Sequence, residues 1–152
     1  MENSDLADKA YEKAVRFLAP RAHSEKETKM YLQKKGYSQD IIAAVLARLK
    51  EYDYVNDEAF ARAFVNSYKN KYGKLYIKSR LKIAGVSRDI ADLVLDYSDL
   101  DGAVVIAEKY LSVRSDVSRQ KLYNYLYSRG FVSDDISSAV SAVYGGDDGE
   151  TE

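Results

Sequence analysis

The sequence predicts an all-α fold, a tandem array of three three-helix modules, and three observations predict it. A signature, Leu-x-x-x-Gly followed by Ser-x-Asp-Ile-x-x-x-Val, is written three times. Its copies are Leu32, Gly36, Ser38, Asp40, Ile41, Val45; then Leu81, Gly85, Ser87, Asp89, Ile90, Val94; then Leu126, Gly130, Ser133, Asp135, Ile136, Val140. The serines stand 49 and then 46 residues apart, the length of one small helical module. Elsewhere apolar residues recur at helical spacing, and no stretch alternates with the period of two that a strand requires.

Each signature residue answers a mechanical need. The leucine ends an apolar helical face. The glycine takes the left-handed conformation that closes a helix. The serine caps the next helix by accepting an unpaired backbone N–H. The aspartate sits in the first turn, where its charge suits the helix dipole, and Ile and Val four apart share one face. The signature encodes helix, glycine turn, helix, and none of its residues is reactive.

Taken in order, the first helix shows Leu6, Ala10, Ala14, Phe17 and Leu18 at helical spacing. The next opens with a capping box, Ser24-x-x-Glu27, and runs to the first glycine turn. The second module starts at a cap on Asn56 or Asp57 and continues through Phe60, Phe64, Val65 and Tyr68. The third starts near Ser98 or Asp99 and carries Val104, Ala107 and Leu111. The expected boundaries are 1–51, 52–97 and 98–144, with 145–152 an acidic disordered tail. A module of about 45 residues is near the lower limit for independent stability, so neighbours pack together.

The chain has 152 residues and no cysteine, which removes disulfides, thiol nucleophiles and zinc–thiolate sites together. It shows no run of apolar residues long enough to span a bilayer and no signal peptide, so a cytoplasmic protein without a membrane partner is expected, with a monomer as the default state. His23, the sole histidine, lies beside a helix cap and is expected at the surface. Asp40, Asp89 and Asp135 fit helix starts, and Asp53, Asp57 and Glu58 fit capping better than a metal. No Walker-type loop or dinucleotide fingerprint is present. The expectation is a non-enzymatic protein with no catalytic residue, metal or cofactor.

Charge is distributed unevenly. Setting aside the acids of the last eight and first eight residues takes the formal net charge from −1 to +6. Between Glu58 and Asp89 there is no acid, while Arg62, Lys69, Lys71, Lys74, Lys78, Arg80, Lys82 and Arg88 fall there. The cluster Lys69, Lys71, Lys74, Lys78, Arg80 and Lys82 spans a helix end, the Gly73 turn and the next helix start. Such a turn offers backbone N–H groups as well as cations to an anion, and it reads as a contact surface for phosphates or acidic protein. Tyr68, Tyr72 and Tyr76 are interleaved and are read as packing rather than as base-stacking platforms. Lys34, Lys35, Arg119, Lys121 and Arg129 occupy comparable places and are weaker contact candidates.

These residues resemble the RecX family of RecA regulators over nearly the whole body, from about Tyr11 to Tyr144. The most distinctive stretch is Val55-Asn56-Asp57-Glu58-Ala59-Phe60-Ala61, continuing through Phe64-Val65 and Gly73 to Ile77, Leu81, Gly85 and Val86. Leu18 to Leu32 with Arg21, Ser24 and Glu27 resembles the family's opening module, and Lys121-Leu122 through Leu126 to Arg129-Gly130-Phe131 its end. Asn56 stands where the family usually has an acid, and Val132 is an extra residue after the third glycine. The resemblance implies an elongated, curved array that binds in the groove of the RecA–single-stranded-DNA filament. There it suppresses ATP hydrolysis, strand exchange and co-protease activity. The alternative is a stand-alone DNA-binding protein with helix-turn-helix-like units, against which the carboxylates at the Ser-x-Asp helix starts argue.

Overall fold

The computed structural model describes residues 2–145 and, among them, nine α-helices and no strand. They are α1 (Glu2–Leu18), α2 (Glu25–Lys34), α3 (Gln39–Glu51), α4 (Asp57–Tyr68), α5 (Lys74–Ile83), α6 (Arg88–Val94), α7 (Leu100–Ser112), α8 (Arg119–Ser128) and α9 (Ser133–Val143). No helix among the described residues is long and apolar enough to cross a membrane. Apart from Gly145, the acidic segment expected at 145–152 lies outside the described residues.

All three signature glycines have positive φ, +92° at Gly36, +87° at Gly85 and +97° at Gly130. The residue after each glycine donates back to the signature leucine: Tyr37 to Leu32 (3.3 Å), Val86 to Leu81 (3.0 Å) and Phe131 to Leu126 (3.4 Å). This closure satisfies carbonyls that a helix end leaves unpaired. The capping box is formed in both directions, Glu27 N–H to Ser24 Oγ and Ser24 N–H to Glu27 Oε1. Ser38 and Ser87 cap their helices through Ile41 and Ile90 N–H. Ser133 departs from expectation. It is the first residue of α9, and Val132 occupies the cap position with no side-chain bond. The extra residue moves the serine one place into the helix.

The chain divides into two compact units. The first comprises the described part of 1–63 with residues 81–94. Here α1, α2 and α3 bury Ala10, Ala14, Leu18, Leu32, Ile41, Ile42, Val45, Leu46 and Leu49, with Val55 closing the cluster. Burying each of the leucine, isoleucine and valine side chains stabilises by about 1.5–3 kcal/mol. The start of α2 then docks on the turn that follows α5. Ser24 Oγ donates to the Ala84 carbonyl (2.6 Å), Lys26 Nζ donates to the Ile83 carbonyl (3.2 Å), and the first N–H of α2, on Glu25, donates to Asp57 Oδ1 (2.8 Å). Asn56, not Asp57, caps α4, through Ala59 N–H.

The second unit comprises residues 64–80 and the described part of 95–152. Its core joins Ala103, Ile106, Ala107 and Tyr110 of α7 to Leu122 and Leu126 of α8, Phe131 of the turn, and Ile136, Ala139 and Val140 of α9. The start of α5 docks here on the turn between α8 and α9. Gly73 N–H donates to the Arg129 carbonyl (2.8 Å) and Leu75 N–H to the Gly130 carbonyl (3.0 Å), while Lys74 N–H donates to Asp99 Oδ2 (2.8 Å). Asp99 therefore caps α5. For α7, the Ser98 hydroxyl takes Leu100 N–H instead.

Candidate functional site

The acid-free segment becomes the end of α4, a short turn, and α5. After Tyr68 the chain makes a tight turn, with Lys71 and Tyr72 N–H donating to the Tyr68 carbonyl. The turn is fastened by Arg129, whose Nε and Nη2 donate to the Lys71 carbonyl at 3.0 and 2.8 Å. The Arg129 guanidinium also lies 4.2 Å over the Tyr72 ring and 5.8 Å over Tyr125. A guanidinium held by a carbonyl and two ring faces is an anchor, worth more than a solvated charge.

The tyrosines form a ladder. Phe64 and Tyr68 are 4.6 Å apart, Tyr68 and Tyr72 5.8 Å, and Tyr72 and Tyr76 stack at 3.9 Å with an 18° interplanar angle. All three tyrosines are half-buried. Their faces are spent on one another and on Arg129, in keeping with a packing role.

The cations of the segment differ in their surroundings. Lys69, Lys78, Arg80 and Lys82 are exposed, as is Lys71, whose ammonium lies 5.7 Å from the Tyr68 ring centroid. Lys74 is half-buried, with Nζ 4.8 Å over Tyr97. Along α5, Lys74, Lys78 and Lys82 recur at four-residue intervals and so follow one flank of the helix. Arg80, two residues beyond Lys78, falls about 200° round the axis. The six residues do not share a single face.

One expectation is corrected here. The helix start was expected to offer backbone N–H groups to an anion, yet Gly73, Lys74 and Leu75 N–H all bond to protein acceptors. Docking of the helix start uses the donors that the isolated segment would leave open, so an anion meets side chains. The residue that pattern reading missed is Asp99, which is 3% exposed. Burial pushes its carboxyl above the usual range, against the opposing pull of Lys74. Tyr97 is pushed up to about 12 by burial and by the Asp99 charge. A single acid is thus buried at the head of α5, and only its 25-residue distance from Lys74 hid it.

The weaker candidates are spread over both units. Lys34 and Lys35 are exposed at the end of α2, with Lys35 Nζ 5.5 Å over the Tyr31 ring. Arg119 is half-buried, its guanidinium 4.8 Å over Tyr144, and Lys121 is exposed. His23, expected at the surface, is 9% exposed and stacks on Phe17 at 3.9 Å. Burial, then the Arg21 charge, lowers its pKa from 6.5. Asp53, Asp57 and Glu58 address three different partners, Asn56 Nδ2, Glu25 N–H and Arg62.

Comparison with known proteins is consistent across sequence and fold. The family model for the first three-helix domain of RecX matches residues 10–49, and that for the second three-helix domain matches residues 56–95. The regulatory protein RecX of Chlorobaculum tepidum is 35% identical over 142 residues, covering 90% of this chain and 89% of the relative. The regulatory protein RecX of Bacillus licheniformis is 32% identical over 160 residues, covering 98% of this chain. The chain spans 61% of the length of that relative. Among solved structures, RecX from Lactobacillus salivarius superposes with a TM-score of 0.82 at 25% identity, covering 93% of this chain and 98% of the other.

Proposed function

The chain belongs to the RecX family of regulatory proteins; from that premise we propose that it is a non-enzymatic modulator of the RecA recombinase. It binds in the groove of the RecA–single-stranded-DNA filament and suppresses ATP hydrolysis, strand exchange and co-protease activity. It acts as a cytoplasmic monomer, with modules 1–51, 52–97 and 98–144 working in series along the filament.

The observation that carries this reading is the acid-free segment from residue 59 to residue 88. Its backbone is pinned by Arg129 and Asp99, while Lys69, Lys71, Lys78, Arg80 and Lys82 stay exposed. Exposed cations beside a turn and helix start pinned at residues 71 and 74 lose little backbone entropy on meeting phosphates or acidic protein. The test is DNA-dependent ATP hydrolysis by the cognate RecA, titrated with this protein at fixed single-stranded DNA. Loss of hydrolysis below one protein per RecA protomer is expected. Unchanged hydrolysis alongside salt-steep DNA binding would favour the stand-alone reading.

A further inference from the structure

A second acid-free stretch runs from residue 117 to residue 133, beyond the basic segment, and α8 occupies its middle. At about 100° per residue, the exposed residues Gln120, Lys121, Asn124, Tyr127 and Ser128 fall on one arc of about 120°. Leu122 and Leu126, both fully buried, lie opposite and face the core of the second unit. The arc is a single helix face, not a scatter of exposed side chains.

Tyr127 distinguishes that face. Tyr125 of the same helix stacks on Tyr110 at 4.1 Å, and Tyr123 packs against the core. Tyr127 is 66% exposed, and among the described residues its ring meets no other ring and no cation. On the same side, Gln120 Nε2 donates to Asn124 Oδ1 (2.9 Å), which holds two amides side by side. Lys121, at the edge of the arc, forms no ion pair among the described residues.

The chemistry of the occupant follows from a comparison with α2. The signature leucines Leu32 and Leu126 put the two helices in register. Glu25, Glu27, Met30 and Gln33 of α2 then correspond to Arg119, Lys121, Asn124 and Tyr127 of α8. Two acids become cations, the exposed Met30 becomes an amide, and an amide becomes a ring. A face that docks protein is centred on apolar anchors, and this arc carries none besides the ring. Cations at its edge suit phosphates, amides suit base edges, and a free ring suits a base face. A duplex keeps its base faces stacked on one another, so the ring selects a single strand.

We propose that the outer face of α8 binds single-stranded nucleic acid, with a base stacked on Tyr127, base edges on Gln120 and Asn124, and phosphate at Lys121. This contact lies outside the 59–88 segment and needs no recombinase. It goes beyond the filament reading and stands or falls without it.

The chain has no tryptophan, so Tyr127→Trp places a single fluorescent reporter on the face. The probe is a single-stranded oligothymidylate, compared with an abasic strand of equal length and charge. Quenching of the indole by the oligothymidylate and none by the abasic strand is expected. Tyr127→Ala should weaken binding of the labelled oligothymidylate, read by anisotropy, about tenfold with the melting temperature unchanged. Equal quenching by the abasic strand, binding without quenching, or an undiminished Tyr127→Ala affinity overturns the proposal. So does the absence of any oligothymidylate binding by the unmodified chain. Quenching that needs only RecA, or only more of this chain, assigns the face to a protein partner and overturns it as well. RecA ATP hydrolysis, titrated in parallel with the unmodified chain, reports on the filament reading separately.

Discussion

The junction at Gly85 in the first unit and the junction at Gly130 in the second join equivalent parts with different atoms. At Gly85 the incoming helix start is Ser24, and the bonds to the turn are made by side chains, the Ser24 hydroxyl and Lys26 Nζ. At Gly130 the incoming residue is Gly73, and the bonds are made by backbone N–H groups. The second approach is closer. A Cβ on Gly73 would collide with the Gly130 carbonyl and lie 2.6 Å from Phe131 N. A side chain can mediate a helix-to-turn contact, or its absence can let two backbones bond directly. The same docking thus tolerates different residues, but each version fails in its own way.

The most damaging change should be Gly73→Ala. Its new methyl meets backbone that cannot rotate away, so a loss of about 3 kcal/mol or more is expected by denaturant titration. A loss under about 1 kcal/mol would show that the turn yields and would erase the difference between the junctions.

Alanine at the signature glycines sharpens the same comparison. Gly130→Ala and Gly85→Ala add a steric conflict to an unfavourable φ, whereas Gly36→Ala meets open space and costs only the conformational term. The expected losses are about 2–4 kcal/mol for the first two and about 1–2 kcal/mol for Gly36→Ala. Equal losses at all three positions would mean that φ alone governs and that docking adds nothing.

Ser24→Ala comes next, at about 1–2 kcal/mol, because it removes both the cap to Glu27 N–H and the buried bond to the Ala84 carbonyl. Thermal melting measures it, and an unchanged melting temperature would show that the hydroxyl bond is dispensable.

A smaller effect separates the junctions by pH. The residue before the incoming cap is His23 in the first unit and Tyr72 in the second. His23 has its pKa lowered by burial and by Arg21. The unfolded chain takes up this proton near 6.5 and the folded chain only at lower pH. The stability contributed by neutral His23 is therefore complete above 6.5 and lost as pH falls below it. Melting temperature measured from pH 7.5 to pH 5 should fall more steeply for the native chain than for His23→Leu. Parallel curves would assign the acid sensitivity elsewhere.

Much of this architecture is legible from local pattern. Leu32, Leu81 and Leu126, the three glycines, and the Ser24–Glu27 box each act within a few residues of themselves, so sequence spacing suffices to place them. Asp57 and Asp99 stand at the starts of their own helices in the sequence, while the N–H groups they accept from, on Glu25 and Lys74, lie 32 and 25 residues away, beyond the reach of local spacing. His23 looked exposed for a related reason, since the Phe17 ring that covers it is positioned by tertiary packing. Charge in the basic segment was legible residue by residue. The division of Lys78 and Arg80 between flanks, and the filling of the α5 N–H groups, required the helix to be placed on its neighbour.

Whether the basic segment carries the proposed filament binding is read from affinity for RecA–single-stranded-DNA filaments. The native chain is compared with Lys69→Glu/Arg80→Glu/Lys82→Glu, three exposed positions. A loss of about a hundredfold or more is expected, since charge reversal at a complementary interface turns attraction into repulsion, with the helical circular-dichroism signal unchanged. Undiminished binding by a folded triple variant would contradict it and move the contact off this segment.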